Sequence, residues 1–193
     1  MLLLEKLFKL EPFFKSMEFN YELKIPKERV AILIGVKGEV KKELEKLTNT
    51  KINVDSHEGY VFITGDDAIN LFNARELVKA IGRGFNPEYA KLLLKGDNVL
   101  EIVNVNEFAK TKNSSERLKG RVIGKEGKAR KLIEDLTECY VSVYGKTVSI
   151  IGNISRVLYA KKAIEMILKG SKHSNVYAYL ERTTKELILS QKK

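Results

Sequence analysis

Apolar and polar positions follow the same order twice along the chain. In the first half, Val40, Leu44 and Leu47 are spaced i, i+4, i+7, which predicts a helix with one buried stripe. Ile52 and Val54 then alternate with polar residues before a turn and a second alternating run, which predicts a β-hairpin. A further helical pattern follows, so the predicted order from the first helix onward is helix, hairpin, helix.

The second half repeats this pattern at a nearly constant spacing. An offset of 89 residues aligns GVKG at 35–38 with GKEG at 124–127 and holds through the next helix. The offset falls to 87 in the hairpin and to 86 in the last helix, so only loops change length. Asp66 and Asn153 are predicted to cap that last helix in the two copies. Two copies of one supersecondary unit are therefore predicted.

Further elements precede each pair of glycines. Strands at 21–25 and 99–105 and short helices at 27–34 and 116–123 complete an α+β unit of order βααββα. A helix at 87–95 is predicted to connect the copies. Five segments are predicted in chain order. They are an N-terminal extension (1–19), a first domain (20–84), a connecting helix (85–98), a second domain (99–172) and a C-terminal helix (173–193).

The leucine-rich start of the chain does not fit a membrane or signal segment. Glu5 and Lys6 interrupt the leucines at once, whereas a membrane span needs about 20 apolar residues. A signal peptide needs a longer apolar region and a small-residue cleavage site. Helical spacing is found at four apolar positions, which indicates a short amphipathic helix: Leu3, Leu7, Leu10 and Phe14. Docking on the body, contact with a partner and an unstructured extension remain open interpretations.

Charge is divided unevenly between the two copies. The formal net charge of +10 favours an anionic partner such as RNA, DNA or a membrane surface, although a solvated basic surface gives the same value. Residues 1–84 hold 14 bases and 13 acids, and residues 85–193 hold 21 and 12, so the balances are +1 and +9. Within 117–131, seven bases accompany one acid. Phosphate contact is therefore predicted in the second copy, with a solvated helix face as the alternative.

Each paired-glycine loop is suited to approach a ligand. Glycine lets the backbone turn sharply with no Cβ in the way, and the amides of the following helix then face an anion such as phosphate. One GxxG is a weak signal, because many loops use two glycines only to turn. Two such loops at equivalent points of a repeat are a strong one.

The segments IGVKG at 34–38 and IGKEG at 123–127 resemble the signature of the KH domain, in its eukaryotic-type (type I) order of elements. This resemblance implies two tandem KH domains, each a three-stranded antiparallel sheet covered by three helices. It also implies that about four nucleotides of single-stranded nucleic acid are clamped by the loop. The backbone would pass over 124–127, with bases in an apolar groove lined by Ile123 and the strand 140–144.

Longer stretches at 24–45, 117–152 and 173–187 resemble one KH family, the archaeal two-KH small-subunit assembly proteins of the partner-of-Nob or Dim-two family, related to the Krr-type proteins. The resemblance implies binding of single-stranded rRNA near the 3′ end of the small-subunit RNA in the cytoplasm. It further implies work beside the initiation-factor-two alpha subunit, the Nob endonuclease and the rRNA dimethyladenosine transferase. A protein-interaction adaptor and a general single-strand RNA binder in mRNA or RNA-decay pathways are the alternatives.

The predicted RNA site surrounds the second loop and comprises Lys119, Gly120, Arg121, Ile123, Gly124, Lys125, Glu126, Gly127, Lys128, Arg130, Lys131, Ser142, Tyr144 and Lys146. A weaker RNA or protein site surrounds the first loop and comprises Ile34, Gly35, Val36, Lys37, Gly38, Lys41 and Lys42. Two residues depart from the KH pattern. Glu126 puts an acid inside the loop, which lowers the expected phosphate affinity. Cys139 stands where a small residue is expected, which predicts a packing role.

No catalytic, cofactor or metal site is predicted. The single cysteine excludes an intramolecular disulfide and a Cys-based zinc site, and His57 and His173 are isolated. GRVIGK at 120–125 lacks the four-residue spacer and the Ser/Thr of a P-loop. Since no Ser/His/Asp or paired-carboxylate site can be argued, a non-enzyme is expected.

Overall fold

The computed structural model describes residues 19–190, and the predicted N-terminal amphipathic helix lies outside the described residues. The first module comprises β1 (Phe19–Lys24), α1 (Lys27–Ile34), α2 (Glu39–Thr48), β2 (Lys51–Val54), β3 (Tyr60–Gly65) and α3 (Ala68–Gly82). A short helix, α4 (Pro87–Ala90), connects it to the second module. That module comprises β4 (Asn98–Asn104), α5 (Lys112–Ile123), α6 (Lys128–Thr137), β5 (Tyr140–Tyr144), β6 (Thr147–Asn153) and α7 (Ile154–Leu168), and is followed by α8 (His173–Ser190).

Each module contains one three-stranded antiparallel sheet. The strand orders are β1-β3-β2 and β4-β6-β5, so the second strand of each module lies at a sheet edge. Ile52 pairs with Ile63, and Val141 pairs with Ile150, which places these four apolar side chains on the face covered by helices. The predicted pair of βααββα units is confirmed.

Each module has its own apolar core beneath its helices. Leu33, Leu44 and Leu77 are fully buried in the first core, and Ile133 and Ile164 in the second. Burial of one such side chain contributes about 1.5–3 kcal/mol. The C-terminal helix α8 extends the second core with residues of its own apolar stripe, Val176 and Leu180.

The last helix of each module begins at a side-chain cap. The Asn153 side chain accepts a hydrogen bond from the backbone N–H of Ser155 (3.0 Å), as predicted. In the first module the cap is Asp67, which accepts from Ile69 N–H at 2.7 Å, so the prediction of Asp66 was wrong by one position. The reason is geometric, because a cap must be the extended residue directly before the first helical one.

The connecting segment is less helical than predicted. Instead of an α-helix over 87–95, one turn of α-helix in α4 passes into a 3₁₀ turn, Lys91–Leu94. The Asn98 side chain donates to the carbonyl oxygen of Leu92 at 2.9 Å, and the backbone N–H of Lys95 donates to the same oxygen at 3.0 Å. These bonds close the turn and end the helix.

The two modules pack on each other through this segment. Leu92, Leu93 and Leu94 contact the first core, and the fully buried Ile151, on the outer face of the second sheet, belongs to the same cluster. The backbone N–H of Ile154 also donates to the carbonyl of Asp97 (3.0 Å). The second sheet is thus covered by helices on one face and by the first module on the other.

Candidate nucleic-acid interface

The second glycine loop, 124–127, has nearly the same backbone conformation as the first. Gly124 and Gly35 both have φ of 71°, with ψ of 176° and 177°. This region of conformational space is essentially restricted to glycine. A Cβ on Gly124 would also lie 2.8 Å from the backbone nitrogen of Ala129. The first glycine of the motif is therefore required both by its torsion angles and by the close approach of the next helix.

The second loop leads into a helix N-terminus surrounded by positive charge. Gly127 stands at the start of α6 without a side-chain capping bond, and the N–H of Lys128 donates to the carbonyl of Lys125. The next amides of the first turn are those that could face an anion. Four exposed basic side chains lie in the loop or the first turn of α6: Lys125, Lys128, Arg130 and Lys131. The Lys128 ammonium lies 3.4 Å from the Glu126 carboxylate, which a phosphate would have to displace.

A groove of about 950 Å³ runs from this loop along the edge of the second sheet. Strand β5 forms its floor, and α6 forms one wall through Arg130, Lys131, Glu134 and Asp135. The opposite wall comes from the connecting segment, through residues 84–86 and Tyr89. The groove is therefore built jointly by the second module and the connection.

The edge strand in the floor is held by an acid from α6. The backbone N–H of Val141 donates to the Glu134 carboxylate at 2.7 Å, and the Arg130 guanidinium lies 3.6 Å from the same carboxylate. The first module repeats this bond between Ile52 N–H and Glu45, also at 2.7 Å. The carboxylate fixes the spacing between helix and strand in both copies.

A lysine beside the first loop is bonded to its own module. Lys41 donates to the carbonyl of Ile52 at 2.8 Å and to Glu45 at 3.0 Å, so it bridges α2 to the edge strand. Among the described residues, no matching bond from Arg130 to the carbonyl of Val141 is found. Ile34 and the two loop glycines are half-buried, whereas Val36, Lys37 and Lys42 are exposed.

The structure brings many of the predicted residues of the second site together. Glu126, Gly127, Arg130, Lys131, Ser142 and Tyr144 line the groove, and Gly124, Lys125 and Lys128 belong to the loop or adjoin it. Ile123 ends α5 beside the loop with 37% of its surface exposed. Gly120 is exposed on α5, and Lys146 is exposed in the turn between β5 and β6. Lys119 does not line the groove and donates to Glu116 and to the carbonyl of Gly145.

Arg121 has a structural role that its sequence context does not indicate. Its guanidinium donates to the carbonyl of Ile167 at 2.8 Å and to that of Ser171, both at the end of α7. Arg29 bonds to the carbonyls of Ile81 and Phe85. Ile81 aligns with Ile167, and Phe85 lies one residue past the end of the aligned repeat, as Ser171 does in the second copy. We therefore leave Arg121 out of the candidate site, because its donors cap a helix of its own module.

Ser142 and Tyr144 are engaged where the two modules meet. The Ser142 hydroxyl donates to the carbonyl of Arg83 at 3.0 Å, and the Tyr144 hydroxyl donates to the Glu28 carboxylate at 2.7 Å. The hydrogen bond from Tyr144 lowers the pKa of Glu28, whereas burial and the same bond raise the pKa of Tyr144. Gly84 makes the approach possible, since a Cβ there would lie 2.6 Å from the Ser142 hydroxyl oxygen.

Sequence reasoning missed the wall supplied by the connecting segment. Phe85, Asn86 and Tyr89 fall outside the aligned repeat, and a repeat comparison assigns function only to aligned positions. The available signal was two aromatic residues in a short linker, at 85 and 89. Phe85 is buried, whereas Tyr89 is 41% exposed.

Cys139 packs, and no metal centre is found among residues 19–190. Its side chain is buried against Gly152, where a Cβ would lie 2.6 Å from the sulfur. Burial raises the pKa of this thiol, which disfavours the reactive thiolate. No group of three or more His, Cys, Asp or Glu side chains in the described chain is arranged to hold a metal ion.

The paired loops, edge strands and sheet orders define a tandem KH-domain protein. Residues 20–80 match the family model of the KH domain, and residues 99–185 match that of the eukaryotic-type KH domain (KH-domain type I). A KH domain-containing protein of Methanocaldococcus jannaschii is 49% identical over 177 residues, which cover 90% of this chain and 76% of that protein. This class of protein binds RNA.

Solved structures narrow the class to one family. The Pyrococcus horikoshii structure of an a/eIF2alpha–aDim2p–rRNA complex contains a chain that superposes with a TM-score of 0.85 at 45% identity, covering 91% of this chain and 99% of that one. Dim2p of the same organism superposes with a TM-score of 0.80 at 48% identity, covering 85% and 99%. The chain belongs to the archaeal two-KH family of Dim2p, the partner-of-Nob family.

Within residues 19–190, no helix combines the length and the apolar character that crossing a membrane requires.

Proposed function

We propose that the chain binds single-stranded rRNA near the 3′ end of the small-subunit RNA and acts in assembly of the small ribosomal subunit. RNA binding itself follows from the family, and the site is assigned to the second KH domain. The observation that carries this assignment is the convergence of the 124–127 loop, four basic side chains and an open groove at one end of α6. The role implies a cytoplasmic location, where subunits mature.

The first KH domain is the weaker candidate for RNA. Its loop has the same backbone, yet residues 1–84 are nearly neutral, whereas residues 85–193 carry +9. Lys41 is bonded to the edge carbonyl of Ile52, where a base would be read. These two differences support phosphate and base contacts in the second copy.

The test is charge reversal at the second loop. Lys125→Asp combined with Lys128→Asp is expected to lower affinity for a single-stranded rRNA 3′-end oligonucleotide by about a hundredfold or more. Both side chains are exposed, so thermal unfolding should be unchanged. Fluorescence anisotropy over a range of salt measures both affinity and contact number, since each lost phosphate contact on a single strand lowers the salt slope by about 0.7.

The control is a pair of lysines at the first loop and in the first helical turns after it. Lys37→Asp with Lys42→Asp makes the same change in net charge at exposed positions of the neutral copy, and should leave most of the affinity intact. Equal losses from the two pairs, or none from the Lys125 and Lys128 pair, would refute the assignment to the second loop.

We further propose that the first KH domain contacts protein. The relative of known structure was solved with a/eIF2alpha as well as rRNA, so the initiation-factor-two alpha subunit is the first partner to test. The Nob endonuclease and the rRNA dimethyladenosine transferase are further proposed partners in the same maturation. Binding to the alpha subunit should survive the Lys125 and Lys128 reversal and should depend little on salt, because the first copy is nearly neutral.

A further inference from the structure

Two tyrosines meet at the end of the groove that lies opposite the glycine loop. Tyr89 of α4 and Tyr140 of β5 have ring centroids 4.6 Å apart with their planes at 41°, and each is 41% exposed. Both rings line the same groove as Gly127. Helix α6 begins at the loop and ends just before Tyr140, so its 10 residues separate the two ends by about 15 Å.

The position of Tyr89 is fixed by the first module. Phe85 and Ala90, which flank the linker turn, are buried in the first core. Arg29 donates to the carbonyl of Phe85, and the backbone N–H of Tyr89 donates to that of Asn86 at 3.1 Å. The backbone that carries the ring is thus anchored, and contact with Tyr140 limits the ring itself, so less freedom is lost when a ligand stacks on it.

The charges around the tyrosines favour a base over a phosphate. At this end the wall carries Glu134 and Asp135 of α6 and Glu138, the residue that follows the helix, whereas Arg130 and Lys131 lie nearer the loop. Glu134 already accepts from the Val141 N–H and Glu138 lies 2.8 Å from Arg156, so Asp135 is the acid that can act on a ligand here. Carboxylates repel phosphate and accept hydrogen bonds from the amino groups of bases. Aromatic rings stack on bases of any sequence.

We propose that Tyr89 and Tyr140 form a stacking platform for a nucleobase of single-stranded RNA, outside the nucleotides clamped at the glycine loop. The platform rests on the proposed RNA site in the second domain and extends it. It is composite, because one ring comes from the connecting segment and the other from the second sheet. The first KH domain contributes to this site indirectly, because its core holds the residues on either side of Tyr89.

The test compares RNA length and aromatic variants. Tyr89→Ala should weaken binding of an eight-nucleotide single strand of the rRNA 3′ end by about fivefold to a hundredfold, the range for loss of one stacked base. Binding of a four-nucleotide strand, which the loop alone accommodates, should be unchanged. Tyr89→Phe keeps the ring and should retain the affinity for both strands. Equal losses for both lengths would mean that Tyr89 only supports the fold, and would overturn the proposal.

Fluorescence gives an independent readout, because the chain has no tryptophan. Tyr89→Trp introduces one reporter whose emission should be quenched by the eight-nucleotide strand through stacking. Tyr21→Trp, at a residue 39% exposed on β1, is the matched control and should not respond. If the protein binds the strand but neither the Tyr89→Trp emission nor the Tyr89→Ala affinity changes, the platform is wrong and the proposed function stands. If the unaltered protein binds neither RNA strand, the platform and the proposed function are both wrong.

Discussion

The two glycines of the second loop meet different steric conditions. Gly124, with φ of 71° and ψ of 176°, faces the backbone of Ala129, whereas Gly127, with φ of 76° and ψ of 6°, has open space where a Cβ would be. The backbone of Gly127 lies in the left-handed helical region, which the non-glycine residue Glu126 also occupies with φ of 54°. Only the first position therefore requires glycine absolutely.

This difference predicts unequal costs for the same substitution. Gly124→Ala should destabilise the protein by about 2–3 kcal/mol, because a Cβ adds overlap with a backbone atom to a glycine-only conformation. Gly127→Ala should cost about 1 kcal/mol, the penalty of left-handed backbone alone. Urea unfolding of the two variants measures both, and equal costs would contradict the role of Ala129.

Residue types around the loop were only partly predictable from the sequence. Four bases of the cluster at 117–131, Lys125, Lys128, Arg130 and Lys131, are exposed in the loop or the first turn of α6, and the phosphate contact predicted for them stays a prediction. Arg121 in the same cluster points elsewhere, since the carbonyls it binds are 46 and 50 residues away. A pattern of charges does not reveal which ones are already bonded.

At the scale of elements, an arginine closes the last helix of each module. Arg29 and Arg121 are not aligned by the repeat, yet each reaches the carbonyl of an aligned residue, Ile81 in α3 or Ile167 in α7. A guanidinium is suited to this because it bonds two carbonyls at once and favours the negative end of the helix dipole. The two copies retain the interaction although the position of the arginine differs.

Loss of this cap should weaken stability without affecting RNA. Arg121→Ala is expected to cost about 1.5–3 kcal/mol, the range for hydrogen bonds to a charged group, because two carbonyls lose their donor. RNA affinity measured well below the unfolding temperature should be unchanged. Arg117→Ala, an exposed base in the same helix, is the matched control and should change stability by less than about 0.5 kcal/mol. A loss of affinity confined to Arg121→Ala would restore that residue to the RNA site.

At the scale of the whole molecule, one of the hydrogen bonds across the junction between the modules joins two titratable groups, Tyr144 and Glu28. The pKa of Glu28 is lowered in the folded protein. The stability that its ionised carboxylate contributes is therefore present above the ordinary pKa of about 4.3 and is lost as the pH falls through the lowered pKa. The pKa of Tyr144 is raised in the folded protein. The stability that its protonated hydroxyl contributes is therefore present below the ordinary pKa of about 10 and is lost as the pH rises through the raised pKa. The bond between them is therefore strongest at intermediate pH.

We expect the stability that this hydrogen bond contributes to fall at both acidic and alkaline pH. The difference in urea midpoint between the protein and Tyr144→Phe should be constant from about pH 5 to 9 and shrink toward both extremes. Tyr177, whose pKa is raised by burial alone, is the control, and Tyr177→Phe should show the alkaline limb only. A difference for Tyr144→Phe that does not vary with pH would show that Glu28 contributes nothing.

The arrangement of the modules was less predictable than their content. The βααββα pattern occurs twice in the sequence, so each copy supports the order of elements read from the other. The contact between the modules occurs once, so no second copy indicates it. Ile151 fits an ordinary strand of its own sheet, yet its side chain completes the first core, and nothing in the alternation of that strand indicates which of its two faces meets a partner.

The shared core has a consequence for how the protein is made. Domains emerge from the ribosome N-terminal end first, at about 5–20 residues per second. Leu92–94 leave the exit tunnel with the first module, but Ile151, which completes the cluster, follows more than 50 residues later. For roughly 3–12 s the nascent chain presents an unfinished apolar surface, a window in which a chaperone or an aggregating neighbour competes with the rest of its own sequence.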